Sequence, residues 1–281
     1  MFSGLSLFAA ESGPSVHVAP AEVFQIGGIS VTNSMLYGWI CCVLLCVGLI
    51  LIARRVTVKP KGGIIQYVEA GTEFISNLVV SAFDDRKVGR KYVPFFVTLF
   101  FFILLINWLG LLPIVGEGFT SNEHPLLRPM TGDLNATLGM GIVTMIVVYA
   151  ASIREVGGFV KYIKHFFMGS PLNPLFLVIG LIEMLTDLTR ALSLSLRLFL
   201  NVAIGEIVIA VFAYLGGVIA PATALPFFLL EMGVSALQAY IFVILGVNYL
   251  AISVNSAHAH DELTEEDEPE TMKAIPKEAK A

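Results

Sequence analysis

Five long apolar runs, separated by shorter polar stretches, dominate the chain. Each run is long enough to form a helix across a hydrocarbon core of about 30 Å, and none has the alternation of a barrel strand. Because backbone groups inside a bilayer must be paired within their own segment, we expect transmembrane helices. The predicted spans lie at about 35–53, 92–115, 135–153, 172–215 and 223–254.

Composition agrees with this pattern and excludes most soluble classes of protein. Of the 281 residues, 56% are hydrophobic and only 14% are charged, whereas soluble domains are typically about a quarter charged. No basic cluster of the kind that binds nucleic acid is present. The expected fold class is therefore an all-α integral membrane protein with a membrane domain at 35–256.

Two segments between the spans have a mixed character. In segment 64–83, Glu69, Glu73 and Asn77 recur every four residues, which predicts an amphipathic helix at the membrane interface. Segment 156–170 combines aromatic residues with lysines and predicts an interfacial hairpin.

The two ends of the chain lie outside the predicted membrane domain. Residues 1–34 form an N-terminal segment, and residues 257–281 form an acidic tail that is poor in aromatic residues and that we expect to be disordered. His258 and His260 are too few to form a metal site without further ligands, so we expect none there.

The lysines and arginines predict the orientation in the membrane. With five spans, 14 of the 17 fall on one side, which the positive-inside rule makes the inner side. The N-terminus is then outside and the tail inside. Arg128 lies alone in an outer loop, while Arg190 and Arg197 fall within the membrane.

The span at 172–215 contains a stripe of polar residues. Its 44 residues would make roughly 66 Å of helix, so we expect it to be tilted. At about 100° per residue, one face carries Glu183, Asp187, Arg190, Arg197 and Asn201. Glu206 points to the opposite face and lies nearer the outside.

The last span has a similar stripe, which contains Glu231, Ser235, Gln238 and Tyr249. If the last two helices pack antiparallel, Glu206 and Glu231 lie at a similar depth on the outer side. Gln238 then lies near the depth of Arg197.

Several of these polar groups have an ordinary structural interpretation. Arg190 is the candidate for a structural ion pair with Glu183 or Asp187, Asn201 and Gln238 can join helices by hydrogen bonds, and Ser193 can allow close packing. Arg197 has no acidic residue three or four positions away. Since burying it costs about 2.5 to more than 10 kcal/mol, it requires a carboxylate of another chain or a water-filled cavity.

The chain also resembles a known family, subunit a of F-type ATP synthases. The residues that carry the resemblance are LSLSLRLFLNVAIGE (192–206), LQAYIFVILGVNYL (237–250), NWLGLLPIVG (107–116) and GDLNATLGMGI (132–142). Two positions differ from the usual motif, since Leu200 replaces a common glycine and Ala191 a common proline. Both outer-channel positions are Glu, where one is often His.

The resemblance implies a proton-translocating stator beside a rotating ring of c-subunits, with two offset half-channels separated by Arg197. It assigns Glu206 and Glu231 to the outer half-channel, Asn201 and Gln238 to the surroundings of the arginine, and Ser193 and Glu183 to the inner exit. Asp187 joins that exit on its helical position alone.

The resemblance also implies the setting of the subunit. It would carry out no bond chemistry, need no cofactor or metal, translocate H⁺, and contact the c-ring, b-type subunits of the peripheral stalk and membrane lipid. A bacterial inner membrane is the expected location.

Two other classes of function remain. A secondary transporter could bind a charged substrate at Glu183, Asp187 and Arg197, although the chain has no detectable internal repeat of the kind common in transporters. A purely structural membrane subunit would not need Arg197.

Overall fold

A computed structural model describes residues 22–26, 29–55, 63–112, 115, 120–121, 124–125, 127–158 and 174–266. In this part of the chain the six α-helices are α1 (Asn33–Arg55), α2 (Ile64–Ala82), α3 (Arg86–Gly110), α4 (Leu134–Glu155), α5 (Pro174–Gly216) and α6 (Ala220–Glu266). Strands β1 (Glu22–Ile26) and β2 (Ile29–Thr32) pair antiparallel, as do β3 (Thr120–Ser121) and β4 (His124–Pro125). Short 3₁₀ helices lie at Met130–Gly132 and Gly217–Ile219.

The long apolar helices confirm the predicted class, an all-α integral membrane protein. Within the described residues, four stretches are long and apolar enough to cross a membrane: Asn33–Arg54, Arg86–Gly110, Leu134–Glu155 and Leu188–Asn255. The last stretch has 68 residues and contains parts of both α5 and α6. The described residues therefore contain four to five membrane-crossing helices.

Helices α5 and α6 form a long antiparallel hairpin, as the sequence predicts. Gly217 has a φ of 50°, in the left-handed region that glycine adopts without strain, and it lies in the turn between them. Gly216 lies against Thr223 next to this turn. Far along the same hairpin, the guanidinium of Arg190 lies 4.9 Å from the centroid of the Tyr249 ring.

The core is centred on α3 and α6. Phe96 of α3 and Val243 and Val247 of α6 are completely buried in one apolar cluster. From α2, Ile75 and Val79 pack into the same cluster, while the α2 residues Glu69, Glu73 and Asn77 are exposed. The helix is thus two-sided, with its apolar side against the bundle; its place at the membrane interface stays a prediction.

The two ends of the bundle differ in charge. At one end, which we call the basic end, lie the exposed cations Arg54, Arg86, Lys87, Arg90, Lys91 and Arg154. There Lys91 of α3 forms an ion pair with Glu155 of α4 (Nζ–Oε1 3.1 Å), and the Tyr92 hydroxyl donates to the same carboxylate at 2.8 Å.

The opposite end, which we call the turn end, contains the α5–α6 turn. The segment Leu127–Asp133 also packs here. Met130 contacts Gly38 of α1, and Pro129 contacts Gly110 of α3. These contacts connect the start of α1, the end of α3 and the start of α4.

Helix α6 continues to Glu266, well beyond the apolar span predicted at 223–254. The first residues of the tail that we expected to be disordered are therefore helical. The reason is that Ala, Leu and Glu residues in 257–266 favour a helix without apolar burial. The rest of the tail, 267–281, lies outside the described residues, as does most of the hairpin predicted at 156–170.

Helix α4 approaches α5 closely at a glycine, and this contact predicts an effect on stability. A Cβ atom at Gly141 would collide with the Ser195 hydroxyl and lie 3.3 Å from the Ala191 carbonyl oxygen, whereas one at Gly139 would meet nothing within 4 Å. We expect Gly141→Val to destabilise the subunit by about 1–3 kcal/mol, as overpacking typically does. The matched change Gly139→Val should lower the melting temperature in detergent much less. Equal decreases in melting temperature for the two variants would contradict the close contact between α4 and α5.

Candidate functional site

Arg197 lies on the exposed face of α5 with large apolar neighbours. Leu196 and Leu200 are 40% and 47% exposed, and the Arg197 side chain is exposed too. Within the part of the chain that the structure describes, the guanidinium forms no hydrogen bond and no ion pair. A permanent positive charge thus lies on a face of α5 that also exposes large leucine side chains.

The arginine lies in an open groove of about 580 Å³. Ser193, Asn201 and Gln238 line the same groove, together with Thr189, Leu192, Leu196, Leu200 and Ile204. Four of the residues singled out from the sequence are therefore brought together in one place. Gln238 comes from α6 and the other three from α5.

A second groove, of about 210 Å³, adjoins the first and contains Glu231. Asn201 and Ile204 line both grooves. The amide nitrogen Nδ2 of Asn201 donates to Oε1 of Glu231 at 3.2 Å. Asn201 therefore connects the surroundings of the arginine on α5 to a carboxylate on α6 that is only 5% exposed.

A glycine on α5 makes room for that carboxylate. A Cβ atom at Gly205 would collide with the carboxylate of Glu231, so any larger residue there must displace it. Next to Glu231 on α6, the carbonyl of Met232 accepts a hydrogen bond from Trp108 Nε1 of α3 at 3.1 Å. Close packing on α5 and a hydrogen bond from α3 thus hold this turn of α6.

Glu206 lies away from both grooves and faces the turn-end segment. Its carboxylate oxygens lie 3.7 and 3.8 Å from the point where a Cβ atom of Gly132 would stand, and Nε of Arg128 lies 3.8 Å from the same point. Glu206 interacts electrostatically with Arg128 and with Glu231. The two carboxylates are therefore neighbours between α5 and α6, as their positions in the sequence predict.

Arg128 is a residue of this site that the sequence reasoning missed. Its side chain is only 5% exposed, and Nη2 donates to the carbonyl oxygen of Gly132 at 3.2 Å. The sequence held one signal for it, because Arg128 is the lone basic residue of a loop that should carry few cations. A buried carboxylate that needs a counterion is one reason for a cation in such a loop.

Other predicted site residues lie toward the basic end of α5. Arg190 packs over the ring of Tyr249, an interaction between α5 and α6 that the sequence did not predict. The side chains of Glu183 and Asp187 lie outside the described residues, so the predicted ion pair with Arg190 and the role of both acids in the exit stay predictions.

In the described ranges, no group of three or more His, Cys, Asp and Glu side chains is arranged to hold a metal ion. His258 and His260 belong to α6, and their side chains are outside that description.

Comparison with known proteins decides the family. A family model described as "ATP synthase A chain" matches residues 35–251. The chain belongs to the ATP synthase subunit a family. It is 32% identical to ATP synthase subunit a of Moorella thermoacetica over 246 residues, which cover 87% of this chain and 99% of the relative.

Two further relatives are similar over most of their length. ATP synthase subunit a of Trichlorobacter lovleyi is 34% identical over 226 residues, covering 80% of this chain and 89% of the relative. The subunit a of Gloeobacter violaceus is 30% identical over 247 residues, covering 88% and 94%.

Membership of this family establishes the general role of the protein. This member of the family is a multi-pass protein of an energy-transducing membrane, associates with the rest of the complex, and takes part in ATP synthesis and proton transport. A secondary transporter and a purely structural subunit, the alternatives left open by the residue pattern, lose their support.

The contact between Gly205 and Glu231 generates a prediction for transport. Gly205→Ala should displace the Glu231 carboxylate from Asn201, and we expect the rate of proton-driven ATP synthesis in reconstituted vesicles to fall roughly tenfold, equivalent to about 1.4 kcal/mol. Gly233→Ala on α6 is the matched control, because a Cβ atom there would meet nothing within 4 Å. Similar rates for both variants would show that the position of the Glu231 carboxylate is unimportant.

Proposed function

We propose that this subunit is the proton-translocating stator of the membrane sector. In this proposal two offset half-channels lead protons to and from carboxylates of the c-ring, and Arg197 separates them. The observation that carries the proposal is the exposed guanidinium of Arg197 beside exposed leucines of α5, without a hydrogen-bond or ion-pair partner in the described part of the chain. Its counterion is then supplied by another subunit.

Arg197 acts through a charge that cannot be removed. Arginine does not deprotonate in proteins, so the residue attracts the ionised form of a rotor carboxylate and makes a protonated one release its proton. The exposed leucines Leu196 and Leu200 would exclude water where stator and rotor meet, and a charge interaction strengthens as water is excluded. The same positive charge repels a proton that would otherwise pass directly between the half-channels.

The inlet is formed by Glu206 and Glu231. The Glu231 carboxylate packs against Gly205, the residue before Glu206, which supports their assignment to one path. Proton transfer between them requires hydrogen-bond reach or one bridging water. Glu231 lies in the groove that adjoins the groove of Arg197. Asn201 orients the Glu231 carboxylate at the boundary between the two.

The exit lies toward the basic end of α5. Ser193 lines the groove of Arg197. Glu183 and Asp187 lie closer to the start of the same helix. These three residues would lead a proton released at the arginine to the inner aqueous phase. Gln238 completes the polar surroundings of the arginine from α6.

The charge of the two ends supports an orientation. The exposed cations at the ends of α1, α3 and α4 all lie at the basic end, which the positive-inside rule makes the inner side. The turn end, with the inlet, then faces outward, the N-terminus is outside and the C-terminus inside. The named relatives are bacterial, which favours a bacterial inner membrane.

The subunit itself makes and breaks no covalent bond in this proposal and uses no cofactor. Its partners are the c-ring, b-type subunits of the peripheral stalk and membrane lipid, and the translocated ion is H⁺. ATP is formed on the soluble part of the complex.

Replacement of the arginine tests the proposal. Arg197→Ala should lower proton-driven ATP synthesis in reconstituted vesicles by roughly a hundredfold or more, a loss comparable to removing one preorganised electrostatic group from an enzyme site. The amount of assembled complex should stay unchanged, because the side chain is exposed.

Arg54→Ala is the control, since it removes an exposed cation of α1 far from the groove. Normal synthesis by assembled Arg197→Ala complexes would overturn the proposed mechanism.

The assignment of the inlet makes a separate prediction. Glu206→Gln should lower the rate of proton entry, measured as voltage-driven proton flux through the membrane sector, more than Arg190→Gln does. The reason is that Arg190 packs over Tyr249 and has no place on the proton path. Equal and negligible losses would make Glu206 a structural residue.

A further inference from the structure

We infer that Arg128 is a positioning residue of the inlet, whose guanidinium holds the Glu206 carboxylate in place and favours its ionised form. The inference rests on the proposed function of Glu206 as an inlet group. It adds a fixed cation on the outer side of the path, separate from Arg197.

The guanidinium of Arg128 is buried and hydrogen-bonded. The side chain is 5% exposed and donates from Nη2 to the Gly132 carbonyl oxygen at 3.2 Å. Gly132 lies just before α4. The next residue, Asp133, caps that helix, because its carboxylate accepts a hydrogen bond from the backbone nitrogen of Asn135 at 2.9 Å. The position of the cation is therefore tied to the start of a membrane helix.

Gly132, which has no side chain, lies beside both the cation and the carboxylate. Nε of Arg128 and both carboxylate oxygens of Glu206 lie within 3.8 Å of the point where a Cβ atom of Gly132 would stand. Both charged groups thus border the same small space, and no side chain of residue 132 separates them. Interactions between charges in such a buried setting are screened by salt much less than at a surface.

Two charged side chains of the described part of the chain face Glu206. Arg128 attracts its carboxylate from the segment before α4, and Glu231 of α6 repels it. The nearby carboxylate of Asp133 is occupied by the cap of α4. The two carboxylates of the inlet therefore have different surroundings, because Glu206 has a cation and Glu231 has the amide of Asn201.

This difference gives Arg128 a role in proton entry. A nearby positive charge favours the ionised carboxylate, so a proton that Glu206 takes from the outside is passed on instead of being retained. Without the cation, Glu206 would keep its proton at higher outer pH and release it more slowly.

The test compares Arg128→Gln with Arg128→Lys in complexes reconstituted into vesicles. The rate of ATP synthesis per assembled complex is measured against the pH of the outer compartment, at fixed inner pH and fixed imposed potential. For Arg128→Gln we expect the pH of half-maximal rate to rise by about one unit, the size of effect that one nearby opposite charge exerts, with a lower maximal rate.

Arg128→Lys should retain the wild-type profile, as should Lys87→Gln, which removes an exposed cation at the basic end. An unchanged profile for Arg128→Gln, whatever its rate, would overturn the inference.

A second comparison covers the case in which Arg128→Gln does not assemble. Removing one member of a buried charge pair leaves the other uncompensated, whereas removing both does not. The double variant Arg128→Gln/Glu206→Gln should then recover the assembled amount of the wild type. Lack of recovery would show that Arg128 does not act through Glu206.

The single variant Glu206→Gln separates this inference from the proposed function. Normal proton entry in that variant would refute the inlet assignment itself. Impaired entry in Glu206→Gln, together with an unchanged pH profile in Arg128→Gln, would refute only the role of Arg128.

Discussion

In the proposed mechanism, the permanent positive charge of Arg197 on an exposed face of α5 is the constraint on which the other groups depend. The guanidinium of Arg197 has no ion pair in the described residues, although its neighbours on α5 are exposed leucines. A charge in this setting costs several kcal/mol unless a partner compensates it. In the proposed mechanism, that partner is a carboxylate of another subunit.

Within the described residues, Glu206 and Glu231 have neighbours other than the arginine. Asn201 lines the groove of Arg197 but donates to Glu231, and Gly205 leaves room for the Glu231 carboxylate on its side of α5. Glu206 points to a different side, where Arg128 and the turn-end segment lie. Glu231 thus has a hydrogen-bond partner within the subunit, whereas the arginine has none in the described residues.

Much of this arrangement could be predicted from the sequence because helix geometry is regular. Apolar length predicted the long helices, and a period of 3.6 residues placed Arg197 and Glu206 on different faces of α5. Once α5 and α6 pack antiparallel, Glu206 must come near Glu231. The contacts of loops were beyond such reasoning. Arg128 and Glu206 are 78 positions apart in the sequence. Arg128 lies in an irregular segment, whose course no periodicity predicts. The packing of Arg190 over Tyr249 likewise depends on a tertiary contact between distant residues, whereas the strands before α1 form a local hairpin.

A structure of the assembled complex by electron cryo-microscopy would test the central claim most directly. The decisive quantity is the distance from the Arg197 guanidinium to the nearest carboxylate of the c-ring. We predict that the face of α5 with Leu196, Arg197 and Leu200 packs on the ring and that one ring carboxylate lies within about 4–6 Å of the guanidinium, the range over which an opposite charge favours ionisation. A complex in which this face contacts lipid or another stator subunit, with every ring carboxylate far from Arg197, would contradict it.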